Sequence, residues 1–155
     1  MKVCAGSQYK LRKATLADAA TIAHQRASMF KDIGRIDESM LESHVDIITP
    51  YTRKELASEQ YHAWLVELEN ELVAGGGVSI REYFPRPAYP LGVVEAYVLN
   101  VYTAPEHRRR GLAKRVMLAI IDWCRSREIH RISLHASTEG RMVYESLGFK
   151  QTDEM

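Results

Sequence analysis

Thr103-Ala104-Pro105-Glu106-His107-Arg108-Arg109-Arg110-Gly111-Leu112-Ala113-Lys114 is the stretch from which the rest of the chain is read. A β-branched apolar run, Val93 to Tyr102, precedes it, and an amphipathic helical pattern follows it. Three arginines, a glycine and a small residue therefore sit where a strand turns into a helix. The first amides of a helix have no intrahelical acceptor, and the helix dipole favours negative charge beside them. Such a turn is expected to hold an anion of pyrophosphate type.

The whole composition is ordinary, so the basic function is local. Of 155 residues, 46% are hydrophobic and 26% charged, which fits one globular domain with a sizeable core. A formal net charge of +1 excludes a bulk polyelectrolyte role. Cys4 and Cys124 are too few for a disulfide framework, and a reducing compartment is expected. Met1-Lys2-Val3-Cys4-Ala5-Gly6 has no signal-peptide apolar core, and no run approaches the ~18 apolar residues of a membrane helix. A cytoplasmic, single-domain protein is the expectation.

Working outward, Tyr9 to Ala14 alternates as a half-buried strand. Thr15 and Asp18 form a capping box for a helix over Ile22, Ala23, Met29, Phe30 and Ile33, which Gly34 closes in the left-handed conformation. Asp37 caps a second helix carrying Met40, Leu41, Val45 and Ile48, which Pro50 is expected to break or restart. Ala63 to Leu68 and Leu72 to Ile80 read as a hairpin around Glu69-Asn70-Glu71. Gly75-Gly76-Gly77 inside the second strand implies a bulge or a close approach. Pro85, Pro87 and Pro90 mark an irregular loop before the strand Val93 to Tyr102.

After the arginine turn, Leu112, Val116, Met117, Ile120, Ile121, Trp123 and Cys124 form one helical stripe to about Arg127. Ile129 to His135 alternates as a strand. Ser137 caps a short helix through Ser146 that Gly148 closes, and Phe149 opens a last strand. The order β-α-α-β-β-β-α-β-α-β defines an α/β chain with a mixed sheet.

Arg108-x-x-Gly111-x-Ala113 resembles the acyl-CoA signature Gln/Arg-x-x-Gly-x-Gly/Ala of the GNAT superfamily of N-acetyltransferases. Val101 to Glu106 is similar to the splayed strand and turn before that signature. Tyr144-Glu145-Ser146-Leu147-Gly148-Phe149 is similar to the closing Tyr-x-x-x-Gly-Phe motif. The element order matches along nearly the whole chain, although few residues follow Phe149 for the family's final strand. The resemblance implies a mostly antiparallel sheet, splayed at the strand ending near Thr103.

It also implies acetyl-CoA as co-substrate, with no metal. Gly111 would let the backbone approach a phosphate, Ala113 would leave the helix start unobstructed, and the amides of Arg109 to Lys114, Leu112 included, would face the pyrophosphate. Arg108, Arg109, Arg110 or Lys114 would add charge-assisted contacts, with Ser137 beside them. Val101, Tyr102 and Thr103 would bulge away from the neighbouring strand and pair with pantetheine, the Val101 amide serving as donor to the thioester oxygen. Tyr144 is the implied general acid for the departing thiolate.

The base is less determined. Glu95 lies on the central strand, and Tyr97 shares its face two residues on; either can relay a proton through water. Asn100 projects from the same strand as an orienting group. The acceptor is expected between the Phe30 to Asp37 junction and the Tyr83 to Pro90 loop, opposite the pyrophosphate, with Arg35, Asp37, Arg81, Glu82 and Tyr83 in reach. Small amines, amino-acid derivatives and peptide or protein amines all remain open. A short sheet edge is compatible with a homodimer.

Other chemistries fit poorly. The six histidines show no paired metal-ligand spacing, and no C-x-x-C occurs. A Ser137/His135 nucleophilic pair lacks a nucleophile elbow, and no Walker-type loop is present. A nucleic-acid module using Arg108 to Arg110 conflicts with the near-neutral total charge. The surviving rivals are transfer of a longer acyl group and a non-catalytic acyl-CoA-binding module on the same fold.

Overall fold

The computed structural model describes residues 8–153. Strand β1 (Lys10–Lys13) leads into helix α1 (Ala19–Asp32) through a 3-10 turn, Leu16–Asp18. There the Thr15 amide donates to Asp18 Oδ2 at 2.8 Å, as the capping box requires. Helix α1 ends as expected at Gly34, whose φ is +77°. The Arg35 amide reaches back to the Phe30 carbonyl at 2.8 Å and Gly34 to Lys31 at 3.0 Å, the paired bonds of a Schellman cap.

Helix α2 (Leu41–Ala57) follows a 3-10 turn capped at Asp37 and runs unbroken through Pro50, contrary to the expected break. The proline removes only one donor. The Thr49 and Thr52 hydroxyls add bonds to the Val45 and Ile48 carbonyls at 2.7 and 2.9 Å on either side of it.

Strands β2 (Tyr61–Leu68), β3 (Glu71–Tyr83) and β4 (Val93–Thr103) form an antiparallel meander. Glu69 and Asn70, both at positive φ, make the β2–β3 turn. Helix α3 (Leu112–Ser126) then crosses over to β5 (Arg131–Leu134), which lies parallel to β4, and α4 (Arg141–Ser146) completes the described elements. The sheet order is β1-β2-β3-β4-β5.

Each face of the sheet is covered. Helix α3 buries Val116, Met117, Ile120 and Cys124 completely against Trp64, Val66, Val78, Ala96 and Val98. Each of the larger aliphatic side chains contributes about 1.5–3 kcal/mol. On the opposite face, Ile22 of α1 packs on Tyr61, Ala63 and Leu65.

Two departures from regularity shape the site. Between the pairs Gly75↔Tyr102 and Gly77↔Leu99, the single residue Gly76 faces both Asn100 and Val101. The extra residue lies on β4, where Asn100 takes φ +61°. The bulge thus lies at Asn100 and Val101 rather than over the expected Val101 to Thr103, since Tyr102 and Thr103 stay paired with Gly75 and Ala74, and the glycines opposite it permit close approach. A Cβ on Gly76 would stand 3.1 Å from Val101 Cγ2, and one on Gly77 would collide with the Tyr61 ring.

The second departure is the early end of β5 pairing at Val98↔Leu134. Beyond that point β4 continues to Thr103 with no β5 partner, so the two strands splay.

The expected last strand does not form over Phe149–Asp153; Glu154 and Met155 lie outside the described residues, as does the N-terminal Met1 to Gly6 segment. Gly148 (φ +92°) turns the chain, and the Phe149 amide bonds the Tyr144 carbonyl at 3.1 Å. Arg141 then ties Gln151 back to α4 at 2.6 Å. Phe149 packs on the Tyr144 ring with centroids 6.1 Å apart. The Tyr-x-x-x-Gly-Phe spacing thus follows from a Schellman cap, whose outer apolar residue meets the helix one turn back.

Candidate active site

The arginine turn folds as a nest of amides. Arg109 (φ +62°) and Gly111 (φ +74°) are left-handed on either side of Arg110, and α3 begins at Leu112. Among the described residues, no acceptor takes the amide hydrogens of Arg109, Arg110, Gly111, Leu112, Ala113 or Lys114; Arg115 is the first to bond, to the Gly111 carbonyl at 3.1 Å. Six successive unpaired N–H groups at a helix start form an anion site whatever their side chains do.

The side chains divide. Arg109 and Lys114 line the groove beside the nest. Arg108 also borders it, but its guanidinium donates to the Thr103 carbonyl (2.9 Å) and pairs with Asp32 (2.6 Å), fastening the turn to the end of α1. Arg110, expected among the phosphate ligands, instead points its guanidinium to the Tyr9 hydroxyl at 3.0 Å, and the same hydroxyl meets His107 Nδ1 at 2.9 Å. Only its amide belongs to the nest.

The groove, about 960 Å³, runs from the nest past Val101, Tyr102 and Thr103 of the splayed strand to Ser137, Gly140 and Tyr144. Ser137 caps a tight turn here, its hydroxyl accepting the Gly140 amide at 3.1 Å, rather than the first turn of α4 itself. Arg35 lines this same groove. It therefore lies on the nest side and not, as expected, among the groups opposite the pyrophosphate.

A second cavity, about 350 Å³, adjoins the first and contains Arg81, Tyr83, Glu95, Tyr97, Ser133 and His135. Tyr144 and Ala136 border both. Burial raises the Tyr144 phenol above its ordinary pKa, so it holds its proton across neutral pH.

Glu95 is 2% exposed and fully engaged: Arg131 Nε lies 2.5 Å from Oε2, Ser133 Oγ 2.7 Å and the Tyr83 hydroxyl 3.1 Å from Oε1. Burial raises its pKa, but the bonds from Ser133, Arg131 and Tyr83 outweigh that and leave the carboxyl below its usual range. Such a group holds a proton poorly. Beside it, the Tyr97 hydroxyl bonds His135 Nδ1, and the Arg81 guanidinium stacks 3.7 Å above the Tyr97 ring.

Asn100, expected to meet substrate, is buried within the bulge. Its amide donates to the Tyr61 hydroxyl at 3.0 Å and its carbonyl accepts from Arg26 at 2.6 Å. Phe30 stacks with the same guanidinium, 4.7 Å from the ring centre. Arg26 had not been singled out, although a signal existed. It occupies the position between Ile22 and Phe30 on the buried stripe of α1, where a charge needs a reason.

No cluster of three or more His, Cys, Asp or Glu side chains able to hold a metal ion occurs among the described residues, and no described helix is long and apolar enough to cross a membrane.

One groove thus joins an amide nest at the start of α3, the opened edge of β4 and the Tyr144 phenol at its far end. Comparison with known proteins gives the family. Residues 29–149 match the acetyltransferase (GNAT) family, and the chain belongs to it. It is 28% identical over 148 residues to the uncharacterized N-acetyltransferase YjgM of Escherichia coli K12, an alignment covering 92% of this chain and 83% of that one.

Two crystal structures have the same fold across 95% of this chain. A GCN5-related N-acetyltransferase from Ralstonia eutropha JMP134 superposes with a TM-score of 0.83 at 29% identity, over 95% of its own length. A predicted acetyltransferase from Clostridium acetobutylicum, determined with acetyl-CoA, gives 0.84 at 28% identity, over 93% of its length. The protein is an acyl-CoA-dependent N-acetyltransferase.

Proposed function

We propose that the protein transfers acetyl from acetyl-CoA to a primary amine by direct attack in a ternary complex. The observation that carries this is the continuity of one groove from six unpaired amides, along the splayed β4, to Tyr144 at the mouth of a second cavity. The amides of Arg109 to Lys114 cradle the diphosphate, with Arg109 and Lys114 as its nearby free cations. Val101 to Thr103 pair with pantetheine as an added strand would. The Val101 amide donates to the thioester oxygen as charge develops there.

The amine forms the new C–N bond as the carbonyl opens, and the tetrahedral intermediate collapses by breaking C–S. Tyr144 gives its proton to the departing thiolate. Tyr97 and His135 carry protons away from nitrogen: the phenol passes its own proton to Nδ1 while taking one up, and the exposed imidazole releases one to water at its other nitrogen. Two protons leave nitrogen and one returns from solvent to Tyr144, so each turnover releases one. Glu95 serves this arrangement by fixing Arg131, Ser133 and Tyr83 rather than by accepting the proton itself.

The test is thiol release measured over a panel of amines and of acyl-CoAs of increasing chain length. Acetyl-CoA is expected to have the highest kcat/KM, with intersecting double-reciprocal plots. Parallel plots would indicate an acyl-enzyme and overturn direct transfer; a longer acyl chain turned over faster would overturn the acetyl preference.

A further inference from the structure

Arg26 lies half-buried on α1 beside the β4 bulge. Among the described residues it is the arginine whose surroundings lower its pKa: burial disfavours the charge and outweighs the opposing effect of Tyr61, Tyr97 and Tyr51. Among the described residues Arg26 is one of several arginines with no carboxylate partner, and it is the one that is also half-buried against the β4 bulge. Its neighbours are the Phe30 ring and the Asn100 carbonyl. A half-buried guanidinium pairing with a neutral oxygen and an aromatic face leaves its cost incompletely offset, and an incoming anion would supply the remainder.

The position of that charge sets the size of the ligand. The Arg26 guanidinium is bonded to the side chain of Asn100, which directly precedes Val101 in the bulge. On the proposed transfer geometry the acceptor nitrogen reaches the thioester beside Val101. An acceptor whose amine reaches the thioester at Val101 while its anion meets Arg26 therefore carries the two groups close together. Across Tyr97 the other cation is Arg81, while Glu95 is neutralised by Arg131. With one donor nitrogen committed to Asn100, the remaining planar fork suits a carboxylate better than a phosphate dianion, which calls for more donors.

From this juxtaposition of a half-buried guanidinium, bonded only to a neutral oxygen and an aromatic face among the described residues, and the β4 bulge, we infer that the acceptor is an amine bearing a nearby carboxylate, an α- or β-amino acid, and that Arg26 binds the carboxylate. The inference rests on the acetyl-transfer reading and is tested so that the two fail separately. Acetyl-CoA binding is measured by calorimetry, and thiol release is measured with the protein amino acids, their carboxamides and glucosamine 6-phosphate.

For the preferred amino acid, kcat/KM should exceed that of its carboxamide by at least about tenfold, mainly through KM. Arg26→Gln should collapse that ratio toward one, and Arg26→Lys should restore part of it. A wild-type enzyme that uses carboxamides or the sugar phosphate as well as amino acids overturns the inference while leaving acetyl transfer standing. So does an Arg26→Gln variant that loses acid and carboxamide equally together with acetyl-CoA affinity, because Arg26 would then only support the bulge. Absence of acetyl-CoA binding in the wild type sinks the underlying reading and this inference with it.

Discussion

The two halves of the site are made of different material. The donor half is backbone: six amides over Arg109 to Lys114, set by two left-handed residues and the start of α3, together with the unpaired edge of β4. The half proposed for the acceptor is side chain: Arg81 from β3, Tyr97 from β4 and His135 just beyond β5 meet only because the sheet brings them together, and Arg26 from α1 reaches the β4 bulge at Asn100. A backbone cradle serves any sequence that can adopt its turn, so it suits an invariant ligand such as a diphosphate. A side-chain wall changes with each substitution, so it suits a ligand that differs from enzyme to enzyme.

Breaking the backbone half should have the largest effect. Gly111→Glu places a side chain where φ is +74°, at a cost of about 1–2 kcal/mol, and adds a carboxylate beside the phosphate amides. Calorimetry should show acetyl-CoA affinity reduced by more than about 100-fold, with circular dichroism unchanged. Retention within threefold would mean that the donor is held chiefly by side chains.

Tyr144→Phe, at the boundary between the halves, keeps the ring on Phe149 and removes only the hydroxyl. The expected outcome is a kcat about 100-fold lower at unchanged acetyl-CoA affinity; full activity would remove Tyr144 from the chemistry. Within the acceptor half, His135→Asn should lower kcat/KM about tenfold, and unaltered turnover would end the Tyr97–His135 route.

The smallest effect belongs to a region outside both halves. The Arg12 hydrogen bond holds Asp18 down at about pKa 2, against the opposing effect of burial. Its folded pKa is depressed, so its stabilisation is complete above the unfolded pKa near 3.8 and is lost as pH falls toward 2. Asp18→Asn should cost about 1 kcal/mol at neutral pH, a fall in Tm of about 2–4 °C, with no change in kcat. The Tm difference should shrink steadily from pH 4 toward pH 2, and a difference that does not change over that range would assign it to packing rather than charge.

The same division explains what could be read from sequence. The nest, the β4 bulge and the Gly148 cap are local: each depends on a glycine or a strand-to-helix boundary within a dozen residues, and each forms within a residue or two of its expected place. Arg110 was legible as a residue of the turn but not in its direction, because Tyr9 lies 101 positions away and captures the guanidinium. Arg35 went to the donor side because the Gly34 cap swings it there.

Pro50 failed to break α2 because one missing donor is a small loss within a 17-residue helix. Phe149 did not begin a strand because its side chain is engaged by Tyr144. Glu95 was visible as a strand carboxylate, but its three partners come from β3 and β5 and were not.

The most direct test of the backbone cradle is amide hydrogen exchange of the 109–114 segment with and without acetyl-CoA. These six amides have no acceptor among the described residues, so they should exchange rapidly in the free protein and slow by at least about tenfold on saturation. Exchange that is equally fast in the complex would contradict the cradle, whatever affinity the coenzyme showed.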